Sequence, residues 1–525
     1  MGRALTSRTQ QQLLVGIAAL VLLGAGFLPL VLAALELPLA GVQGLAHARA
    51  ALAAPATWTL LVRSLALAAS VTGLALALGV PLAALLAKTD VGGRQAAFLV
   101  HAFPMFLPPF LLALGWFHLL GRRGLLGTEA TSRLFFSFAG VVLVLALAFT
   151  PVVTSLVALA LRGIDPSLEE AARIVAGPRR VVTRILLPLA WPAAALSALV
   201  VFALAFSELG VPMFLRVRSY PAAVFARLGG VEYAPGEAFG LVVPLLAVAL
   251  GLLGCERWLA ARRSFPVLGP RQRGTVPLPL GAWKGPAGAI VWALAAVSVL
   301  PIAGLALRAS AGGFAGVPAW IGASLTNSIV CAGVAATIIA ALGLIVGHAL
   351  ARGRRGAHLL DAAGVLAFVT PAAVLGVGLI SLWNRPATRV VYGSLAIIII
   401  GDVARYGVVG VRTMAGAVAQ GPVEHEQLAA VVGAGFARRL FRIVVPLHRL
   451  GLASAWLLAF IFCLRDLETA VLFYPPGREP LPVRIFTLEA NGPESVVAAL
   501  AVVQVALTAI IVAAGATLLR RAQRA

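Results

Sequence analysis

The stretch that decides the fold is Glu170-Ala-Ala-Arg-Ile-Val-Ala-Gly177, which continues through Arg179-Arg180 to Ile185-Leu-Leu-Pro188. A related stretch, from Gln427-Leu-Ala-Ala-Val-Val-Gly433 to Val444-Val-Pro446, lies about half a chain later. Each stretch is too polar to cross a bilayer and too regular for a loose loop. The pattern therefore predicts two short basic helices, each set between long apolar runs.

The composition indicates a membrane protein. Hydrophobic residues make up 61% of the 525 residues and charged residues only 11%, and the mean hydropathy is +1.00. Soluble domains are about half apolar and about one quarter charged. A bilayer core about 30 Å thick is crossed by roughly 20 apolar residues in a helix. An all-α integral membrane fold is the prediction.

Twelve apolar windows are long enough to span a bilayer. They fall near residues 13–35, 58–86, 97–120, 137–161, 189–211, 237–259, 287–308, 323–350, 360–383, 390–413, 450–473 and 495–519. The first window follows Arg3 and Arg8, as a signal peptide would. Its apolar run is longer than a signal peptide needs and no clear cleavage site follows, so we expect a retained helix.

Arginine clusters predict the orientation. They are Arg257, Arg262, Arg263, Arg271 and Arg273; Arg352, Arg354 and Arg355; Arg438, Arg439 and Arg442; and Arg520, Arg521 and Arg524. Positive residues beside span ends favour the cytoplasmic face, which predicts a multi-pass cell-membrane protein with both termini in the cytoplasm. The net charge of +22 then follows from membrane topology. The expected partner of this charge is the lipid bilayer and not nucleic acid.

The two halves of the chain resemble each other, as expected from an internal duplication. Four pairs of residues correspond at nearly constant spacing: Ser64 and Ser328 (264 apart), Pro108 and Pro371 (263), Pro188 and Pro446 (258), and Glu208 and Asp466 (258). Because six spans return the chain to the same side, two six-span halves are expected to be parallel repeats. We predict domains at 1–261 and 286–525, joined by a proline-rich cytoplasmic linker at 262–285.

The two opening stretches resemble the EAA coupling motif of binding-protein-dependent ABC importer permeases. This resemblance implies a type I ABC importer fold with coupling helices at about 165–186 and 423–445. It implies two copies of an ATPase subunit and a solute-binding protein as partners. The docking role is carried to Glu170, Ala171, Ala172 and Gly177, and to Gln427, Leu428, Ala429 and Gly433. Ala176 stands where the family has its glycine, and Gln427 and Leu428 replace the usual glutamate and alanine.

A second resemblance concerns the cargo. Leu464-Arg-Asp-Leu-Glu-Thr-Ala-Val-Leu-Phe-Tyr-Pro-Pro-Gly477 is similar to a segment of the fused iron(III)-type permeases, and Phe206-Ser-Glu-Leu-Gly-Val-Pro-Met-Phe-Leu215 resembles the same group. The resemblance implies iron(III) as the favoured cargo. Thiamine, 2-aminoethylphosphonate and polyamines remain alternatives, because importers of these solutes belong to the same group.

The sequence shows no signature of catalysis. A phosphate-binding P-loop needs a lysine after a glycine-rich turn, and the two lysines, Lys88 and Lys284, do not fit that pattern. We therefore expect a non-enzymatic subunit without cofactor or metal, driven by a separate ATPase. A secondary transporter driven by an ion gradient is the main alternative, although it would not need two basic cytoplasmic helices. A membrane-embedded enzyme is a third possibility, and no cluster with catalytic spacing supports it.

Ionisable residues within predicted spans are candidates for a translocation path, because charges at membrane depth are costly and often functional. The candidates are Glu208, Asp466 and Glu468, with Arg465, Asp402 and Arg405 as expected partners. A carboxylate pair near the axis between the halves would suit a cationic cargo or a gate. The alternative interpretation is a set of structural ion pairs near span ends.

Overall fold

The structure is a computed structural model that describes residues 2–39, 41–175, 177–229, 235–261 and 277–524. Regular structure in these ranges is helical, apart from one isolated bridge between Thr89 and Leu278. The predicted all-α fold is confirmed. Most of the predicted linker, residues 262–276, lies outside the described residues.

Eight continuous helices are long and apolar enough to cross a membrane. They are α1 (Ser7–Leu35), α2 (Pro55–Lys88), α4 (Phe138–Arg162), α5 (Val182–Ser207), α6 (Gly240–Ala261), α7 (Gly281–Ser310), α8 (Ser324–Ala351) and α12 (Glu494–Arg521). Four further helix pairs meet the same test but are bent. They are α3 (Arg94–Phe106 and Pro109–Leu120), α9 (Ala357–Val369 and Ala372–Trp383), α10 (Pro386–Tyr392 and Ala396–Ala419) and α11 (Phe436–Leu447 and Arg449–Leu464). If each bent pair is one span, the described residues contain twelve spans.

Shorter helices connect these elements. They are Gly41–Ala53, Glu129–Phe135, Pro166–Val175, Gly210–Phe214, Tyr220–Gly229, Gly313–Ile321, Glu424–Val431, Ala470–Phe473 and Leu481–Glu489. Two of them, Pro166–Val175 and Glu424–Val431, occupy the stretches that resemble coupling motifs. We call these two helices the first and second coupling segments.

Prolines produce the same bend in two elements. Helix α3 bends by 107° and α9 by 108°, and the second arm of each starts directly after Pro108 or Pro371. A proline has no N–H to donate and disfavours a helical conformation in the residue before it, so the helix is interrupted there. The two prolines that the sequence paired therefore have the same structural role.

Prolines also account for three π-helical turns. The turns Leu23–Phe27, Val182–Leu186 and Leu440–Val444 each end two residues before a proline, namely Pro29, Pro188 and Pro446. Because a proline cannot donate to the carbonyl four residues earlier, the hydrogen-bond ladder widens locally. In α5, Pro188 lies at the second position of the α-helical part Leu187–Ser207, where its missing N–H costs least.

Packing follows the same order in the two predicted halves. Helix α2 packs against α4 and α5, and α8 packs against α10 and α11. The first span of each half also contacts the other half, since α1 packs on the second arm of α9 and α7 packs on the second arm of α3. Glycines permit both crossings: a Cβ at Gly378 would overlap the carbonyl oxygen of Pro29, and one at Gly115 would overlap that of Pro301.

The largest buried apolar cluster lies between the halves. It contains Phe110 and Leu209 from the first half with Val374 and Leu467 from the second. The ring of Phe110 meets those of Phe214 and Phe486 edge-on, with centroids 5.5 and 5.1 Å away. This core surrounds the ends of α5 and α11, where the charged candidates lie.

Three predicted boundaries differ from the structure. Helices α5 and α11 end at Ser207 and Leu464, earlier than the predicted windows, because the chain turns there into short helices. The predicted linker reaches residue 285, yet α7 begins at Gly281. Just before α7, the backbone N–H of Leu278 donates to the Lys88 carbonyl over 2.7 Å, which holds this part of the linker against the end of α2.

Candidate functional site

The first coupling segment is a short helix with a capped start. The Asp165 side chain accepts a hydrogen bond from the Ser167 backbone N–H over 2.9 Å, which satisfies one of the free donors at the helix start. Of the predicted docking residues, Glu170 and Ala171 are exposed. Ala172 lies within the helix, and its side chain is outside the described part of the chain.

A buried carboxylate of this segment was not predicted. Glu169, one position before Glu170, is only 3% exposed and forms an ion pair with Lys88, which is 2% exposed. Lys88 is the last residue of α2. The segment therefore presents Glu170 to the solvent and uses Glu169 to attach itself to a membrane helix.

The second coupling segment repeats this arrangement. Gln427 and Leu428 are exposed and Ala429 is half-buried, whereas Glu426 is buried. The Glu426 carboxylate accepts a hydrogen bond from Arg352 Nη2 over 2.6 Å and lies 2.7 Å from His348 Nε2. Burial alone would raise the pKa of Glu426, but the hydrogen bonds from His348 and Arg352 outweigh burial and lower the pKa to about 2.

The two predicted glycines differ in backbone conformation. Gly433 has a φ of +86°, in the left-handed region that side chains with a Cβ adopt only with strain. A Cβ at either Gly433 or Gly177 meets no atom within 4 Å. Both positions thus have open space around them, and backbone geometry requires glycine at position 433.

Apolar side chains of both segments face away from the protein. Ile174 is 85% exposed, Val431 84% and Val432 82%. Leu168 and Leu428 are also exposed. Large exposed apolar side chains of this kind are compatible with a site that contacts another protein.

The second candidate site is a central polar cluster at the breaks after α5 and α11. Glu208 follows the last residue of α5, while Asp466 and Glu468 lie between α11 and the helix Ala470–Phe473. All three carboxylates are buried. In membrane proteins, irregular backbone is tolerated where it lies inside the protein or lines a cavity.

Arg405 on α10 joins the cluster together. Its guanidinium donates to Glu468, to Thr469 Oγ1 over 2.9 Å and to Ser207 Oγ over 3.3 Å. It also lies 3.5 Å from Asp466. Because Ser207 belongs to the first half and the other groups to the second, this arginine bridges the halves.

The remaining acceptors are held by local donors. Asp466 accepts from the Tyr406 hydroxyl over 2.8 Å and from the backbone N–H of Thr469 over 3.2 Å. Glu208 accepts from the backbone N–H of Val211 over 3.2 Å. Asp466 and Glu208 are thereby each fixed at the start of a short helical turn.

A narrow cavity of about 30 Å³ lies beside these groups. Its lining includes Glu208, Asp466, Glu468, Arg405 and Arg465. The structure thus brings together the three predicted path residues and two of their predicted partners. The third, Asp402, is buried on α10 but does not line the cavity.

A charged network that the sequence analysis missed joins α6 to α9 and α10. Arg412 donates to Asp361 over 2.9 Å and to Glu256 over 2.8 Å, and Arg257 donates to Asp361 over 2.7 Å. Arg257 was interpreted only as a topology signal. Within the described residues, no group of three His, Cys, Asp or Glu side chains has the geometry of a metal site.

Repeat spacing was the signal that would have identified the buried ion pairs. Lys88 and Arg352 are 264 residues apart, as are Ser64 and Ser328, while Glu169 and Glu426 are 257 apart, as are Glu170 and Gln427. Charged groups of the same sign therefore recur at equivalent places in both halves.

The comparison with known proteins agrees with this geometry. No protein-family model matches the chain. A probable molybdenum ABC transporter permease protein of Haloferax volcanii is 32% identical over 186 residues, which cover 35% of this chain and 68% of that relative. The chain belongs to the ABC importer permeases.

Longer matches come from other permeases of this family. The putative ferric transport system permease protein FbpB 1 of Haemophilus influenzae is 27% identical over 417 residues, covering 72% of this chain and 65% of the relative. The ferric transport system permease protein FbpB of Actinobacillus pleuropneumoniae is 26% identical over 415 residues, covering 72% and 59%. This permease chain thus spans about three fifths to two thirds of the length of these ferric relatives.

Proposed function

We propose that this permease is the membrane subunit of an ATP-driven importer. Two copies of a separate ATPase subunit bind the coupling segments, and a solute-binding protein delivers cargo to the opposite face. The observation that carries the proposal is the pair of coupling segments, each attached to a membrane helix by a buried carboxylate and exposing apolar side chains outward.

The docking surface lies on the two coupling segments and on the glycine that follows each of them. We assign docking to Glu170, Ala171, Ala172 and Gly177, and to Gln427, Leu428, Ala429 and Gly433. Ile174 and Val431, which are almost fully exposed, extend this surface. An ATPase groove that covers these apolar groups would gain free energy from their burial.

The orientation and the domain division are parts of the same proposal. The coupling segments and both termini lie in the cytoplasm, and the halves are 1–261 and 286–525. The equivalent bends of α3 and α9 and the equivalent packing of α2 and α8 support the repeat. Cysteines placed at positions 177 and 433 should react with an impermeant thiol reagent only from the cytoplasmic side, and labelling of either from outside would reverse this orientation.

The central polar cluster is the proposed translocation path. Movement of one half against the other exposes the cluster alternately to the two sides, and Glu208, Asp466 and Glu468 contact the cargo or close its route. Their position on one cavity between the halves supports this role. Glu208→Gln combined with Asp466→Asn should impair uptake more than either substitution alone. Normal uptake by the double variant at normal expression would make these residues structural.

Iron(III) is the proposed cargo. The ferric relatives match over both halves of the chain, whereas the Haloferax molybdenum relative and a putative 2-aminoethylphosphonate permease of Salmonella typhi match 35% and 30% of it. Three carboxylates at the cavity are also compatible with a cationic cargo. Uptake assays with iron(III), molybdate, 2-aminoethylphosphonate, thiamine and a polyamine, each with its own binding protein, would decide between them.

Co-purification with the ATPase tests the function itself. The unmodified chain should retain the ATPase through purification and show ATP hydrolysis stimulated by the loaded binding protein. Glu170→Ala should weaken this association more than Gln427→Ala, because only the first removes a charge. Failure of the unmodified chain to bind any ATPase, together with uptake that needs only an ion gradient, would favour a secondary transporter.

A further inference from the structure

The buried carboxylates of the coupling segments face the opposite way from the docking surface. Glu169 and Glu426 are 3% and 9% exposed, while their neighbours Glu170 and Gln427 are exposed. A carboxylate is rarely buried without a partner, because its desolvation is costly. Glu169 and Glu426 are therefore directed toward the membrane helices, where an ATPase bound to the outer surface would not contact them.

The partners of these carboxylates lie at the ends of equivalent helices. Lys88 is the last residue of α2, and Arg352 directly follows the last residue of α8. Arg352 contacts the Glu426 carboxylate through Nη2 at 2.6 Å and Nε at 3.1 Å, with His348 Nε2 at 2.7 Å. Each coupling segment is thus joined by an ion pair to the second long helix of its half, α2 or α8.

Near their opposite ends, α2 and α8 form hydrogen bonds with residues that follow the polar cluster in the sequence. Ser64 on α2 accepts a hydrogen bond from the Tyr220 backbone N–H over 2.8 Å, and Ser328 on α8 accepts one from the Leu481 N–H over 2.7 Å. A helix rises about 1.5 Å per residue, so Ser64 lies about 36 Å along α2 from Lys88. Tyr220 and Leu481 begin the second helices after the breaks that contain Glu208 and Asp466, beyond the short helices Gly210–Phe214 and Ala470–Phe473.

We propose that the Lys88–Glu169 and Arg352–Glu426 ion pairs are joints that transmit movement of the coupling segments, through α2 and α8, to the polar cluster. Glu169 and Glu426 are positioning residues in this mechanism, since they act on the path only through these helices. The inference rests on the proposed ATPase docking and adds to it the route by which docking moves the membrane path.

The two joints differ in their chemistry. The first has one lysine as its cation, which acts as a point charge. The second has an arginine in a two-atom contact and a histidine, so its geometry is more restricted. Arg352→Lys should therefore reduce coupling more than Lys88→Arg.

The experiment measures cargo transported per ATP hydrolysed in proteoliposomes that contain the permease, the ATPase and the binding protein. Glu169→Gln and Glu426→Gln should keep ATPase co-purification and hydrolysis but lower this ratio by about tenfold, as expected when a buried charge loses its partner. Two matched controls are Glu129→Gln, which breaks an exposed ion pair with Arg133, and Arg354→Gln, two residues beyond Arg352; both substituted side chains are exposed. Neither control should change the ratio.

Charge exchange separates transmission from mere stability. Lys88→Glu combined with Glu169→Lys should recover a large part of the ratio that either single variant loses, and size-exclusion profiles identify any variant that fails to fold. An unchanged ratio in Glu169→Gln and Glu426→Gln, or an exchanged pair no better than its single variants, would overturn the proposal. Loss of ATPase binding by the unmodified chain would instead refute the proposed function.

Discussion

At the scale of single residues, each coupling segment has two neighbouring side chains with opposite exposure. One is the exposed residue that the motif predicts, and the other is the buried carboxylate that attaches the segment to a membrane helix. Glu170 was predicted from its resemblance to a docking motif, while Glu169 forms the buried ion pair with Lys88. The same contrast separates Gln427 from Glu426. A motif identifies the segment, but the rotation of a short helix decides which carboxylate is buried.

Backbone conformation makes the two motif glycines unequal. Gly433→Val should lower the free energy of unfolding by about 1–2 kcal/mol, because a branched side chain is strained at a φ of +86°. Denaturation of the detergent-solubilised protein measures this change. Gly433→Ala separates the backbone effect from side-chain size, since its added Cβ also meets open space. Equal stability of Gly433→Val and the unmodified chain would show that this conformation is not needed.

The low pKa of Glu426 predicts an acid dependence. The pKa lies at about 2 in the folded protein against an ordinary 4.5, so the charged form of this carboxylate stabilises the fold. This contribution is complete above pH 4.5 and disappears as the pH falls through the folded pKa. The stability difference between the unmodified chain and Glu426→Gln should therefore shrink between pH 5 and about 2, as measured by thermal unfolding. A difference independent of pH in this range would contradict the ion pair.

At the scale of elements, prolines were the most reliable sequence signal. Pro108 and Pro371 were paired by spacing alone, and they produce bends of 107° and 108°. The ends of α5 and α11 were predicted too late, because apolar residues resume soon after the charged positions that follow Ser207 and Leu464. The local hydrogen bonds that Glu208 and Asp466 accept from backbone N–H groups three residues later mark where the chain turns.

Helices α1 and α9 cross so closely at Gly378 that we expect no side chain to be tolerated there. The backbone of Pro29 on α1 occupies the space that a Cβ would need, and backbone cannot move as easily as a flexible side chain. Gly378→Ala should destabilise the protein by about 1–3 kcal/mol. Gly73→Ala on α2 is the matched control, since its Cβ meets no atom within 4 Å. The thermal unfolding midpoint measures both, and equal midpoints would disprove the close crossing.

At the scale of the whole molecule, a few charged side chains connect the two halves of a largely apolar protein. Arg405 bridges the halves at the polar cluster, and Arg412 bridges them through Glu256 and Asp361. Composition and charge clusters predicted the membrane class and the spans. They did not predict these bridges, because each depends on contacts between residues far apart in the sequence.

Removing Arg412 should weaken the contact between α6 and the second half. Arg412→Gln leaves the buried Glu256 and Asp361 with Arg257 as their shared cation, so we expect a loss of about 1–3 kcal/mol after allowing for the partial exposure of Arg412. Differential scanning fluorimetry measures the shift, with the exposed Arg354→Gln as control. The same midpoint for both variants would show that the network does not hold the halves together.

The central claim is that ATP hydrolysis by a separate subunit drives transport through this permease. The most direct measurement is cargo uptake into proteoliposomes that contain the permease and the ATPase, with all ion gradients collapsed by ionophores. Loaded binding protein is supplied outside and ATP inside, with iron(III) tested alongside the other candidate cargos. The account predicts uptake that persists with the ionophores and requires both ATP and the ATPase. Uptake that proceeds without the ATPase and stops when the ionophores are added would contradict it.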